Sequence, residues 1–139
     1  MSSNIITETY PLVLTASVLN LIYYIFTALS VGSARVKYGV KAPAVTGNLE
    51  FERVYRIQMN GLEYLTVFIS GLWLTALASG NDFVCGIIGL VYLVGRILYG
   101  LGYPNNRSAG FGLSFLPMVA LLIWSAYLGA TGVLRKYIF

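Results

Sequence analysis

Residues 51–80 read FERVYRIQMNGLEYLTVFISGLWLTALASG, and the two halves of this run follow different rules. The first half is the most polar stretch of the chain, while the second, from Leu65 onward, carries no charge. Placed on a helix, Glu52, Arg56, Asn60 and Glu63 fall three or four residues apart and line one face. A helix that is polar for its first turns and apolar thereafter is one that enters a membrane, with a stripe of two acids, a guanidinium and an amide at its mouth.

The rest of the chain agrees with a membrane setting. Of 139 residues, 58% are hydrophobic and only 10% charged, where a soluble domain carries about 25% charged residues. Mean hydropathy is +0.76. Crossing a hydrocarbon layer of about 30 Å takes roughly 20 helical residues, and four segments satisfy this: about 10–33, 51–79, 83–103 and 109–134. The expected fold is an all-α integral membrane four-helix bundle, with residues 1–139 forming one domain. The N-terminal run MSSNIITETYP has no basic residue ahead of its apolar stretch, which argues against a cleaved signal peptide. Cys85 is the single cysteine, so no internal disulfide forms, and it reads as core. The absence of histidine removes Ser-His and Cys-His catalysis and His-ligated metals. Nine basic residues are too few and too scattered for a nucleic-acid surface.

Punctuation sets the connections. Pro11 opens the first helix, where its missing N–H costs little. Residues 35–50 read as a basic loop, and Gly80-Asn81-Asp82 as a turn in which Asn81 or Asp82 caps the next helix. In the third helix Tyr92, Arg96, Tyr99 and Tyr103 form a second polar-tipped stripe. Pro117 should kink the fourth helix. Tyr10, Tyr23, Tyr24, Tyr127 and Tyr137 read as an interfacial aromatic belt, and Trp73 as packing or lipid-facing. Four crossings place the first and third connections on one side, and these hold Arg35, Lys37, Lys41, Arg53, Arg56 and Arg107. The other side holds Arg135 and Lys136. The excess of positive charge predicts that the first group is cytoplasmic. Both polar stripes then meet at the cytoplasmic rim.

Arginine forks bind carboxylates bidentately, a glutamate receives an ammonium, and Asn and Gln satisfy peptide groups. The set Arg35, Arg56, Gln58, Asn60, Glu63, Tyr64, Tyr99, Tyr103 and Arg107 therefore suits a small zwitterionic peptide richer in carboxylates than amines. The alternative is that Glu52 and Glu63 merely neutralise Arg53, Arg56 and Arg96 between helices. A proton-coupled exporter would need its acid near the bilayer centre, whereas Glu63 falls in the early turns of its helix.

These residues carry a family resemblance. FERVYRIQMNGLEY resembles the second-helix signature of the MAPEG proteins, the membrane-associated proteins in eicosanoid and glutathione metabolism. VYLVGRILYGLGY resembles their third helix and SARVKYGVKAP their first cytoplasmic loop, so the likeness covers nearly the whole chain. It is strongest toward the microsomal glutathione S-transferase and leukotriene-C synthase branch. The resemblance implies a homotrimer in which glutathione, the co-substrate, lies between subunits on the cytoplasmic side. The membrane would be endoplasmic reticulum in a eukaryote and inner membrane in a bacterium. By motif, Arg56, Gln58, Asn60, Glu63 and Tyr64 hold glutathione from one subunit, and Arg35, Tyr99 and Tyr103 from its neighbour. Arg107 is the thiolate-stabilising arginine by its context, although an ungapped alignment puts Gly110 at that position. The implied activity is conjugation of glutathione to lipophilic electrophiles, with reduction of lipid hydroperoxides as a companion reaction. Val36 stands where the leukotriene-C synthases have a second arginine, which speaks against leukotriene-specific chemistry. The five-lipoxygenase-activating protein, a non-catalytic lipid-binding relative, suggests a scaffold role instead, but it lacks counterparts of Arg56 and Glu63, which this chain keeps.

Overall fold

A computed structural model of the protein describes residues 5–138. Within them lie a short α1 (Ile5–Thr9) and four long helices, α2 (Pro11–Tyr38), α3 (Leu49–Ser79), α4 (Asp82–Gly102) and α5 (Arg107–Tyr137). Each long helix is apolar and long enough to cross a membrane. The sequence does not signal α1, and residues 1–4, the start of the run weighed as a signal peptide, lie outside the described residues.

The helices outrun the apolar segments that announce them. The first was expected to stop near 33, with Arg35 and Lys37 in a loop, yet α2 continues to Tyr38. Charge ends a membrane segment but not a helix. The backbone stops only at Gly39, which takes the left-handed conformation (φ 68°) that glycine adopts freely; its N–H bonds the Arg35 carbonyl, and the Val40 N–H reaches the same carbonyl at 3.1 Å. Asn48 caps α3, its Oδ1 accepting from the N–H groups of Glu50 and Phe51. Helix α5 starts two residues earlier than expected and runs unbroken through Pro117.

Helices α2 and α5 sit at opposite corners of the bundle, each packed on both α3 and α4. The core along these seams includes Val13, Phe68, Leu72, Cys85, Tyr92 and Leu121. Large apolar side chains such as Phe26, Leu29, Phe83, Leu116 and Ile123 face outward, as lipid contact requires. One of the expected belt residues turns inward instead: Tyr10 is buried edge-on to Trp73, which packs against the core as one of its two readings had it, its Nε1 donating to Ser17 Oγ at 3.0 Å. Helices α4 and α5 approach backbone to backbone. A Cβ on Gly95 would stand 2.6 Å from the Ser114 N, and one on Gly110 would collide with the backbone of Tyr99.

Of the two capping candidates, Asn81 does cap α4, accepting from Val84 N–H at 3.0 Å. Asp82 instead reaches across to the first turn of α2. Its Oδ1 accepts from Val13 N–H at 2.9 Å, and both oxygens accept from Leu12 N–H at 3.1 Å. The carboxylate thus satisfies free amides at the positive end of α2. It also fastens the start of the first spanning helix to the second connection, the pairing that four alternating crossings demand. Replacing Asp82 with Ala should destabilise the protein by about 1–2 kcal/mol, read by thermal unfolding in detergent, with Asp82→Asn losing less. An unchanged melting temperature would show that this clasp contributes nothing.

Candidate functional site

Helix geometry decides where the polar half of α3 lies. At about 1.5 Å per residue, the 31 residues of α3 extend roughly 46 Å, well beyond a hydrocarbon layer of about 30 Å. Glu63 therefore lies near the helix midpoint and not in its early turns. Counted back from Ser79, it is about 24 Å along the axis, still close to the near edge of that layer.

Arg56 and Glu63 are exposed on the single chain, and half-buried Asn60 lies between them on the same helical face. Among the described residues neither Arg56 nor Glu63 forms an ion pair. The salt bridge present is the surface pair Arg53–Glu50 at 2.6 Å, while Glu52 accepts from the backbone N–H of Gly47. The alternative of a charge network neutralised between helices is thus not met: among the described residues no carboxylate lies within 4.0 Å of Arg56 or Arg96.

Arg96 is only 4% exposed, inside the bundle. Its NH1 donates to Asn60 Oδ1 at 2.9 Å, and its guanidinium lies 4.5 Å from the ring centroid of Tyr99. An amide and a ring face thus take the place of a counter-ion. The bond also fixes the Asn60 amide, so its Nδ2 remains available as a donor.

Beside this pair, Asn60, Tyr99, Arg107, Ser108 and Phe111 line an open cleft of about 380 Å³. Tyr103 joins through its contacts: its ring lies 5.7 Å from that of Tyr99, and the Arg107 guanidinium stands 5.2 Å over it. Tyr64 borders the group edge-on to Phe111 at 5.8 Å. Arg107 is the first residue of α5, and Asn106 before it makes no side-chain cap. The free N–H groups of that first turn, together with the guanidinium, create a local field suited to an anion. Gly110 packs against the Tyr99 backbone and has no room for a long side chain, so Arg107 is the guanidinium of α5 that lines the cleft.

Two of the motif residues point elsewhere. Gln58, two residues from Asn60 and so on the far side of α3, donates from Nε2 to Tyr24 Oη at 3.1 Å. Arg35 sits in the last turn of α2, where NH1 holds the following loop through the Val40 and Ala44 carbonyls at 3.3 and 2.7 Å, with its guanidinium over Phe51. Ser108 and Phe111 were not singled out from sequence, though Phe111 follows Arg107 by four residues, one helical turn. Tyr24, expected in the aromatic belt, is Gln58's partner, and Tyr23 donates to the Arg96 carbonyl at 3.1 Å.

The sequence matches known proteins over most of its length. The family model described as "MAPEG family" matches residues 13–127. An uncharacterized protein of Synechocystis sp. is 44% identical over 117 residues, covering 82% of this chain and 83% of its own. The microsomal glutathione S-transferase 2 of Homo sapiens is 42% identical over 130 residues, 91% of this chain and 85% of its own. The leukotriene C4 synthase of Bos taurus is 34% identical over 128 residues, 91% and 83% of the two chains. With four helices fit to cross a membrane and a family match that spans nearly all of them, the chain is an integral membrane protein and belongs to the MAPEG family.

Proposed function

We propose that the protein is a membrane-bound glutathione transferase that conjugates glutathione to lipophilic electrophiles. The observation that carries this reading is the cleft where Asn60, Tyr99 and Arg107 meet at the uncapped start of α5. Kinship with the microsomal glutathione S-transferases supports it. Arg56 and Glu63 stand exposed and unpaired on the adjoining face, offering a cation for a glycyl or γ-glutamyl carboxylate and an anion for the ammonium. Such charges are costly at the edge of a bilayer unless covered, which supports a homotrimer in which a neighbour closes the site. Excess positive charge on the first and third connections supports a cytoplasmic site. Tyr64, Tyr99 and Tyr103 supply hydroxyls and ring faces to the same ligand. Gln58 and Arg35 then act mainly as braces, one on Tyr24 and the other on the loop after α2.

Chemically, the site must make a thiolate. A free thiol has a pKa near 8.5, so only a few per cent is ionised at neutral pH. Arg107 and the α5 amides favour the anion over the thiol, and the released proton passes to solvent. The thiolate attacks the electrophilic carbon, forming the C–S bond as the leaving group departs with the electrons of the broken bond. The electrophile arrives dissolved in the bilayer, so bringing it to a fixed thiolate supplies a further rate factor.

The purified protein should conjugate glutathione to a chloronitrobenzene and release chloride. Arg56→Ala and Glu63→Ala should each raise KM for glutathione by roughly 10- to 100-fold, the range for losing one charge-assisted contact. No glutathione binding by calorimetric titration, with lipid binding retained, would instead favour a scaffold role.

A further inference from the structure

Beside the cleft, between α2, α3 and α4, lies a small, partly open cavity of about 20 Å³ bounded by Asn20, Tyr24, Tyr92 and Arg96 among others. Its walls are unusually polar for the interior of a membrane bundle. Tyr92 is 1% exposed, and its Oη has no hydrogen-bond partner among the described residues. The ring cannot move away to find one, because it stacks on Phe68 at 3.6 Å between centroids. A buried hydroxyl left unpaired costs free energy that a polar interior does not ordinarily tolerate. Asn20 uses Nδ2 on the carbonyls of Ala16 and Gly89, at 2.9 and 3.1 Å, which leaves Oδ1 as an acceptor. Arg96 has five N–H groups, of which NH1 serves Asn60.

We propose that this cavity holds one ordered water that accepts from the Tyr92 hydroxyl and the Arg96 guanidinium and donates to Asn20 Oδ1, making Tyr92 a positioning residue for glutathione. The size is that of a single water, and three polar groups are the usual complement of a buried one. The water completes the solvation of a guanidinium that has no carboxylate. It thereby holds Arg96 in the rotamer that orients the Asn60 amide. The relay runs Tyr92, water, Arg96, Asn60, and it rests on the reading of Asn60 as a glutathione contact.

The test is a double-mutant cycle on the full-length protein in lipid nanodiscs, with Tyr92→Phe, Asn60→Ala and both together. Tyr92→Phe keeps the stack on Phe68 and removes only the hydroxyl. It should raise KM for glutathione by roughly threefold to tenfold, the span of one net hydrogen bond, while KM for the electrophile stays put. In the Asn60→Ala background the same change should do nothing more. A density map of the wild-type protein that resolves waters should show one beside Tyr92 Oη. An unchanged KM in Tyr92→Phe, additive effects in the double variant, or an empty cavity in that map would each overturn the relay. Should Tyr92→Phe not fold, the map alone decides. If the wild-type protein binds no glutathione, the transferase reading falls and the relay with it. If the wild type binds normally and Tyr92→Phe matches it, only the relay falls.

Discussion

Arg107→Ala should lower kcat for glutathione conjugation by on the order of 10²- to 10³-fold, the loss seen when a fixed group that stabilises developing charge is removed. Its effect on glutathione affinity should be much smaller, because Arg56, Asn60 and Glu63 carry binding in the proposed site. The reasoning starts from position. Arg107 opens α5, stands over Tyr103 and lines the same cleft as Asn60 and Tyr99. A cation there stabilises the thiolate but not the thiol, so it lowers the thiol pKa. Its removal lets that pKa rise, and the ascending limb of the pH–rate profile should move to higher pH. Each unit of movement corresponds to about 1.4 kcal/mol of lost stabilisation. Arg107→Lys should fall between, since an ammonium keeps the charge but loses the planar fork. Stopped-flow absorbance of the thiolate across pH, with steady-state kcat alongside, reads both effects. If turnover survives in Arg107→Ala with an unmoved profile, another group activates the thiol.

The second large effect concerns packing. Gly110→Val should leave little folded protein, and Gly110→Ala should cost about 1–3 kcal/mol, the usual range for overpacking. A Cβ at residue 110 meets the Tyr99 backbone N, with the Tyr99 Cα at 2.6 Å and the Leu98 carbonyl carbon at 2.7 Å. These are main-chain atoms, so relief requires α5 to shift away from α4. That shift would separate Arg107, on α5, from Tyr99, on α4, so whatever Gly110→Ala protein folds should also turn over slowly. Gly112→Ala is the control for stability: a Cβ there meets nothing within 4 Å, and the change should gain up to about 1 kcal/mol of helix propensity. Equal melting temperatures for Gly110→Ala and wild type would show that the α4–α5 seam yields more easily than its geometry indicates.

The spanning helices were legible because hydropathy reports directly on lipid burial, and each long apolar run became a helix. Their ends were less so. Arg35 and Lys37 mark where the membrane stops, but only Gly39 stops the backbone. The α3 stripe was also legible, since Arg56, Asn60 and Glu63 share a face by periodicity alone. What periodicity does not contain is partner identity. Arg96 calls for an acid by charge alone, yet its partners are the Asn60 amide and the Tyr99 ring. Tyr24 fits an aromatic belt by its place in a spanning helix, yet accepts from Gln58, a contact across 34 residues that no local pattern encodes. Gln58 shares a motif with Asn60, but two residues on a helix place it on the opposite side.

The Asp82 clasp bears on how the chain is made. The amides of Leu12 and Val13 wait for a carboxylate 70 residues downstream. At roughly 5–20 residues per second of synthesis, that delay is about 4–14 s. Throughout it the leading turn of the first helix depends on water or lipid headgroups, and it reaches its final bonding only once the third spanning helix begins to emerge. The earliest helix to enter the membrane is therefore completed only after the second has been made, and a ribosome stalled before residue 82 would leave its N-terminal turn loose.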